Sequence, residues 1–283
     1  MNIYALWQKW RRLLKYTAYI LLSIGAAFCI WYLAQRPSND RDWALDQAVL
    51  PYAEVEDGIA TVHNIRNFSY KTTTEYTPDY YDATYDIRAL EKVYYIVEPF
   101  SGYKGAAHTF LSFEFNEGKF LAVSVEIRKE KGESFSAVKG LLRQYEIMYV
   151  LADERDVVKL RSNMRKDDVF VYPIKTTKER MQATFYGILE RVNQLYREPE
   201  FYNTITNNCT TSLAKQANQV VEHRIPWNLT LLFPKESDRY AFDLGLFDTK
   251  LTSFPEVRRA HYINNLAERY ADDEEFSLRI RGR

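Results

Sequence analysis

The sequence predicts an α+β fold, an antiparallel sheet packed on helices, preceded by one transmembrane helix. Three observations lead there. Residues 16–34 carry no charge and are mostly apolar, and a helix of about 19 such residues can cross a hydrocarbon core of ~30 Å. Residues 108–115 and 119–128 are rich in aromatic and β-branched side chains and flank Asn116, Glu117 and Gly118, the signature of a β-hairpin. Met181, Phe185, Ile188, Leu189, Val192 and Leu195 recur at helical spacing and form one apolar stripe.

The anchor comes first. Lys9, Arg11, Arg12 and Lys15 precede it and only Arg36 follows closely. That basic excess places residues 1–15 in the cytoplasm and the rest of the chain outside. Tyr16 and Tyr19 at one end, and Trp31 and Tyr32 at the other, suit the two interfaces. A cleaved signal peptide is the rival reading, but its apolar core usually runs about 7–15 residues. A lipoprotein box ahead of Cys29 would need a small residue where Phe28 stands. Residues 35–46 are polar, contain Pro37 and read as a linker. The expected layout continues with one domain over residues 47–276 and a charged tail over 277–283. It implies a single-pass protein of a bacterial inner membrane, with its C-terminal domain in the periplasm.

The formal charge is zero and 46% of residues are hydrophobic. This is ordinary for a globular domain and argues against a nucleic-acid partner, which wants a basic excess. The cysteines say more. Cys29 lies in the expected membrane helix, so Cys209 stands as an unpaired thiol in an oxidising compartment. Such a thiol is either reactive or a small buried hydrophobe.

Along the domain, residues 59–70 and 84–99 read as strands and residues 102–105 as a loop. In the hairpin, Thr109, Leu111, Phe113 and Phe115 share one face of the first strand; Leu121, Val123, Val125 and Ile127 share one face of the second. Residues 144–152 read as a strand, 153–165 as a charged helix and 168–174 as a short strand. Thr176 caps the amphipathic helix, with Glu179 completing a capping box, and Glu198 and Pro199 stop it. A second helix starts near residue 208, with Asn207 or Asn208 as its cap, and runs to about residue 221. Beyond it the chain is broken by Pro226, Pro234, Gly245 and Pro255, and residues 256–270 form a last helix.

Cys209 then falls in the first turn of a helix, where unpaired N–H groups and the helix dipole stabilise a thiolate. A thiolate also wants a nearby base. Four histidines are available, His63, His108, His223 and His261. His223 lies about four turns beyond Cys209 on a continued helix, too far to reach it. With a three-residue turn in the hairpin, Phe110 faces Ser124, Ser112 faces Ala122 and His108 faces Glu126. Directly opposed residues have Cβ atoms about 4.5–5.5 Å apart, so Glu126 can orient the imidazole as the third group of a triad. A structural histidine, and a Glu126 that pairs with Arg128 or Lys129, remain the plainer alternatives. One exported cysteine and no close histidine pair give no metal site. No phosphate loop, dinucleotide fingerprint or serine elbow is present, so no cofactor is expected.

Several pieces resemble one known family. They are His108-Thr-Phe-Leu-Ser-Phe-Glu-Phe115, Val123-Ser-Val-Glu-Ile-Arg128, Arg143-Gln-Tyr-Glu146, Glu154-Arg-Asp-Val157 with Arg161, and Tyr202-Asn203 leading to Asn208-Cys-Thr-Thr211. In order and spacing they resemble the Lnb N-terminal periplasmic domain family, over roughly residues 39–276. The resemblance implies a circularly permuted papain-like, NlpC-type thiol hydrolase fold, with the His strand before the Cys helix. It implies Cys209 as nucleophile, His108 as base and Glu126 as third group, with Tyr202, Asn203 and Arg161 at the substrate pocket. The named member is a lipoprotein N-acyltransferase. The resemblance therefore implies a lipid or lipoprotein substrate and a thioester at Cys209. That acyltransferase carries further membrane helices after its soluble domain, whereas this sequence closes with Asp272-Asp-Glu-Glu275 and Arg279-Ile-Arg-Gly-Arg283.

Three functions are expected on this basis. A membrane-tethered thiol acyltransferase predicts apolar surroundings beside Cys209. A thiol peptidase or amidase acting on cell-wall or envelope peptides predicts a polar open cleft, with Arg155, Arg161 or Arg165 gripping a carboxylate. A non-catalytic envelope protein predicts a Cys209 buried away from His108.

Overall fold

The computed structural model describes residues 3–100, 105–221 and 224–283. The chain divides into two units, Met1–Pro37 and Ser38–Arg283. The first is one helix, α1 (Ile3–Ala34), longer than the uncharged stretch because it takes in Lys9, Arg11, Arg12 and Lys15. Its Leu6–Ala34 segment is long and apolar enough to cross a membrane. Arg11 lies 4.6 Å over the Trp7 ring.

The second unit is a mixed α+β domain. Its elements in order are β1 (Tyr52–Glu56), β2 (Ile59–Arg66), β3 (Ser69–Tyr70), β4 (Tyr76–Thr77), β5 (Tyr80–Asp86), β6 (Leu90–Pro99), β7 (Ala107–Phe115), β8 (Phe120–Arg128), α2 (Ala137–Leu141), β9 (Glu146–Ala152), α3 (Glu154–Lys159), β10 (Phe170–Pro173), α4 (Lys178–Arg197), α5 (Cys209–Asn218), α6 (Ser237–Asp243), α7 (Phe254–Ala260), α8 (Asn264–Arg269) and α9 (Phe276–Arg279). Among the described residues, eight strands form one sheet in the order β1-β2-β9-β8-β7-β6-β10, with β5 on β2. Among the described pairings only the short β2–β9 contact is parallel.

The hairpin takes the register expected from its three-residue turn: Phe110 faces Ser124, Leu111 faces Val123, Ser112 faces Ala122 and Phe113 faces Leu121. Its surroundings differ from expectation. All of β7 is buried, because it is a central strand covered on both faces. Leu111, Phe113 and Phe115 pack under α4 and α5 with Phe185, Ile188, Leu189, Val192 and Leu213. Phe110 and Ala122 pack on the other face with Val157, Val158, Ile263, Phe276 and Ile280.

Other boundaries moved for local reasons. The expected strand over 59–70 stops at Arg66, whose guanidinium turns to Asp156 at 2.8 Å. The one over 84–99 is interrupted by a 3-10 turn (Ile87–Ala89) that Asp86 caps. The charged helix is α3 followed by a π-helical turn (Leu160–Arg165). Thr177, not Thr176, caps α4. α5 ends three residues before the expected position, and the last expected helix is two, α7 and α8. β1 was not anticipated; Asp57 and Gly58, both at positive φ, turn it into β2. Trp43 is buried, with Arg128 stacked 4.2 Å over its ring. Near the C-terminus, Phe276 and Ile280 are buried, and Arg281 forms an ion pair with Glu154 at 2.6 Å.

Candidate active site

Asn208 fixes where α5 begins. Its Oδ1 accepts the Thr211 N–H at 2.8 Å, and Thr211 Oγ1 accepts the Asn208 N–H at 2.9 Å. This reciprocal box satisfies two donors that a helix start otherwise leaves open. Asn208 Nδ2 also donates to the carbonyls of Thr204 (2.8 Å) and Leu231 (3.2 Å), stapling the loop before the helix to the segment after it. Cys209 is therefore the first residue of α5, where the helix end carries partial positive charge.

The hydroxyls of Thr109 and Thr210 hydrogen-bond at 3.0 Å and hold α5 on β7. The β7–β8 ladder ends at the Phe110–Ser124 pair, while β8 continues along β9 to Arg128 and β7 runs back along β6 to Ala107. The two strands part there. Cys209 Sγ lies 3.7 Å from Thr210 Oγ1, and the His108 ring and the Thr109 N–H lie near enough to the thiol to lower its pKa. The opening between strands thus lets a sulfur from the α5 side meet an imidazole that heads the opposite face.

His108 is held from behind. Ser124 donates its hydroxyl to Glu126 Oε1 at 2.6 Å and lies 2.6 Å from His108 Nε2. With its own proton given away, Ser124 Oγ must accept, so Nε2 is the protonated nitrogen and Nδ1 is left for the thiol. Glu126 Oε1 also lies 3.2 Å from Nε2. Arg161 binds Glu126 at 3.0 Å and Glu98 at 2.7 Å, Arg165 reaches Glu98 at 3.3 Å, and Glu98 is paired with His108 across β6 and β7. Two guanidiniums thus face two carboxylates, leaving an imidazolium and a thiolate to balance each other.

Protonation reflects this arrangement. Burial pushes the Cys209 thiol up, but the His108 hydrogen bond and charge, the Thr109 N–H and the Thr210 hydroxyl outweigh it, and the pKa falls from 9.0 to about 7. Burial pulls His108 down, yet the Glu126 charge and the hydrogen bonds to Cys209 and Glu126 raise it to about 9 against the opposing Arg161. Burial would raise Glu126, but His108, Arg161 and Ser124 hold it well below the usual carboxylate range. Near neutral pH these shifts favour a thiolate–imidazolium pair.

The remaining expected residues fall at different distances from this centre. Tyr202 is buried; its phenol is pushed up by burial and then by the nearby Cys209 and Glu126 charges. Asn203 shapes the loop, with Oδ1 accepting the N–H groups of Ile205 (2.9 Å) and Thr206 (3.0 Å). Arg161 is buried, and its groups engage Glu98, Glu126 and the Val157 carbonyl. Arg155 pairs with Asp153. His63 pairs with Asp82 at 2.7 Å and stacks on Tyr52; His261 caps the end of α7; His223 lies outside the described residues. Sequence reasoning missed Ser124 and Glu98. Ser124 was legible as a polar residue two positions from Glu126 on the same strand face. Glu98 was not, because its partners come from residues 161 and 165.

A cavity of about 100 Å³ adjoins Thr210 and is almost wholly apolar, lined by Leu111, Leu213, Ala217, Leu231, Ala241 and Leu246 among others. A cleft of about 710 Å³ elsewhere is lined by Tyr81, Asp82, Lys119, Asp153, Arg155 and Glu274, and includes neither Cys209 nor His108.

A model of the Lnb N-terminal periplasmic domain matches residues 76–235, more than half of the chain, and spans every candidate site residue. No curated protein and no solved structure matches the chain. The chain belongs to the Lnb N-terminal periplasmic domain family, and with α1 ahead of that domain it is a membrane-associated periplasmic protein.

Proposed function

We propose that this protein is a thiol acyltransferase of the bacterial inner membrane that takes an acyl group from a lipid ester and passes it to an amine, as on a lipoprotein. The observation that carries the reading is the Cys209 thiol at the start of α5, its pKa lowered to about 7 by the neighbouring His108, whose Nε2 is engaged by Ser124 and Glu126. The strand-borne His before the helix-borne Cys agrees with a permuted papain-like order.

The thiolate attacks the ester carbonyl carbon and a C–S bond forms. Helix N–H groups beside Cys209 stabilise the oxyanion. The C–O bond then breaks, and His108 gives its proton to the departing alkoxide. An amine attacks the thioester, a C–N bond forms, and C–S cleavage returns the thiolate while His108 takes the amine proton. Splitting the transfer through a thioester replaces one hard step by two easier ones. Glu126 and Ser124 hold the tautomer throughout, Arg161 positions Glu126, and Tyr202 and Asn203 shape the pocket. The apolar cavity beside Thr210 and the engagement of Arg161 by Glu98 and Glu126 favour a lipid donor over a peptide carboxylate.

The test offers ester, thioester and peptide probes to the full chain and to Cys209→Ser and His108→Ala. The account expects labelling by lipid-like esters in the wild type and loss of it in both variants. Labelling by peptide electrophiles alone would assign an amidase, and no labelling by any probe would assign a non-catalytic protein.

A further inference from the structure

Large apolar side chains gather on the surface around the start of α5. On one side Trp227, Leu229 and Phe233 are 63%, 59% and 59% exposed. On the other stand Ile205, in the loop before Cys209, and Phe135, Val138 and Leu141, on and just before α2. Hydrogen bonds and close packing join these groups. Leu231 is buried against the cavity beside Thr210, and its carbonyl accepts from Asn208, whose other bond goes to Thr204. Thr204 in turn donates to the Ala137 carbonyl, and Gly140 lies so close to Thr204 and Tyr202 that no Cβ would fit there. The exposed residues therefore rim the approach to the partly exposed Cys209.

We infer that this rim is a bilayer-docking surface that seats the mouth of the Cys209 site in the lipid interface. Exposed apolar side chains gathered in this way mark an interaction site, and Trp is a residue of the membrane–water interface. The chain itself names the occupant. α1 ends at Ala34, and Ser38 is already fixed in the domain, its N–H bonded to Glu146 at 3.0 Å. Asn39 is tied to the carbonyls of Leu195 and Tyr196. Residues 35–37 alone join the two units, a reach of roughly 10 Å when extended. The tether meets the domain beside the rim, since Glu146 pairs with Phe201 and the chain runs from there through Tyr202 into residues 203–207. The apolar phase to which the chain covalently tethers this domain is the bilayer that α1 enters. The inference rests on α1 as a membrane anchor and not on the chemistry at Cys209.

The test places a bimane label on Leu229→Cys in full chain carrying Cys29→Ser and Cys209→Ser, reconstituted in phosphatidylcholine vesicles with and without nitroxide-labelled lipid. The control label sits on Asn116→Cys, an exposed position at the opposite end of β7. Docking predicts quenching at position 229 at least several-fold greater than at position 116, independent of the protein-to-lipid ratio. Equal quenching at both positions would overturn it. So would a label at 229 that is shielded only at high protein-to-lipid ratio, which would assign the rim to a second copy of the chain. A second arm measures, on the Trp227→Ser/Leu229→Ser/Phe233→Ser chain, alkylation of Cys209 by iodoacetamide, with unchanged alkylation expected and a loss overturning the rim as a surface separate from the fold of the site. Neither readout needs acyl transfer, so docking can stand while the transferase reading fails, and the reverse.

Discussion

The two faces of the sheet bury their residues by different means. Under α4 and α5, Leu111, Phe113, Phe115, Phe185, Leu189 and Leu213 fill the space with hydrocarbon. Behind β6, β7 and β8, apolar residues share the interior with Glu98, Glu126, Arg161, Arg66, Asp156, Glu154 and Arg281. Dispersion and the hydrophobic effect suffice on the first face and ask only for shape. The second face holds charges whose desolvation each partner must offset, which makes it costly to disturb and sharply dependent on protonation. The candidate site sits where the faces meet, with its sulfur from the apolar side and its imidazole from the charged side.

That contrast can be broken most strongly by matched deletions. Phe185→Ala on the apolar face should cost about 3–5 kcal/mol. Arg161→Met, which strips Glu98 and Glu126 of their buried guanidinium, should cost a similar ~3–5 kcal/mol at neutral pH. Urea unfolding against pH separates them. The Glu126 pKa is depressed in the folded state, so its contribution is present above the ordinary 4.5 and is lost as pH falls through the folded value. The Arg161→Met deficit should therefore shrink in acid while the Phe185→Ala deficit persists. Equal pH dependence of the two would erase the distinction.

A smaller effect sharpens the junction. Ser124→Ala removes one hydrogen bond to His108 but leaves the direct Glu126 contact at 3.2 Å. One such bond is worth about 1 kcal/mol, so the rate of Cys209 labelling should fall about 5-fold, with the fold unchanged by circular dichroism. A loss as large as that of His108→Ala would mean that Ser124, not Glu126, holds the ring. Smaller still, Asn208→Ala removes the cap of α5 and should lower stability by about 1 kcal/mol in urea unfolding.

The apolar face was the legible one. The stripe from Met181 to Leu195 and the alternation in the hairpin are local periodicities, and they carried α4, β7, β8 and their register as far as Phe110–Ser124. The expected His108–Glu126 cross-strand pair does not form, because the strands part there, and the two side chains meet at 3.2 Å instead. The cap at Asn208 was equally local and put Cys209 in its helical turn. The charged face was not legible, because its pairs lie far apart in sequence: Glu98 with Arg161, Arg66 with Asp156, Glu154 with Arg281. Nothing near Arg161 in sequence announces its pairing with Glu98. The Asp57–Gly58 turn is a local signal for the β1–β2 hairpin.

The pH dependence of Cys209 alkylation by iodoacetamide, in the full chain and in His108→Ala, tests most directly whether sulfur and imidazole form an activated pair. The account predicts a wild-type rate that rises through pH about 7 and then levels, because the folded thiol titrates there. In His108→Ala the transition should move to pH 9 or above, with the rate at pH 7 falling about 50-fold as the thiolate fraction drops. A wild-type midpoint near 9, or the same midpoint in both proteins, would contradict it.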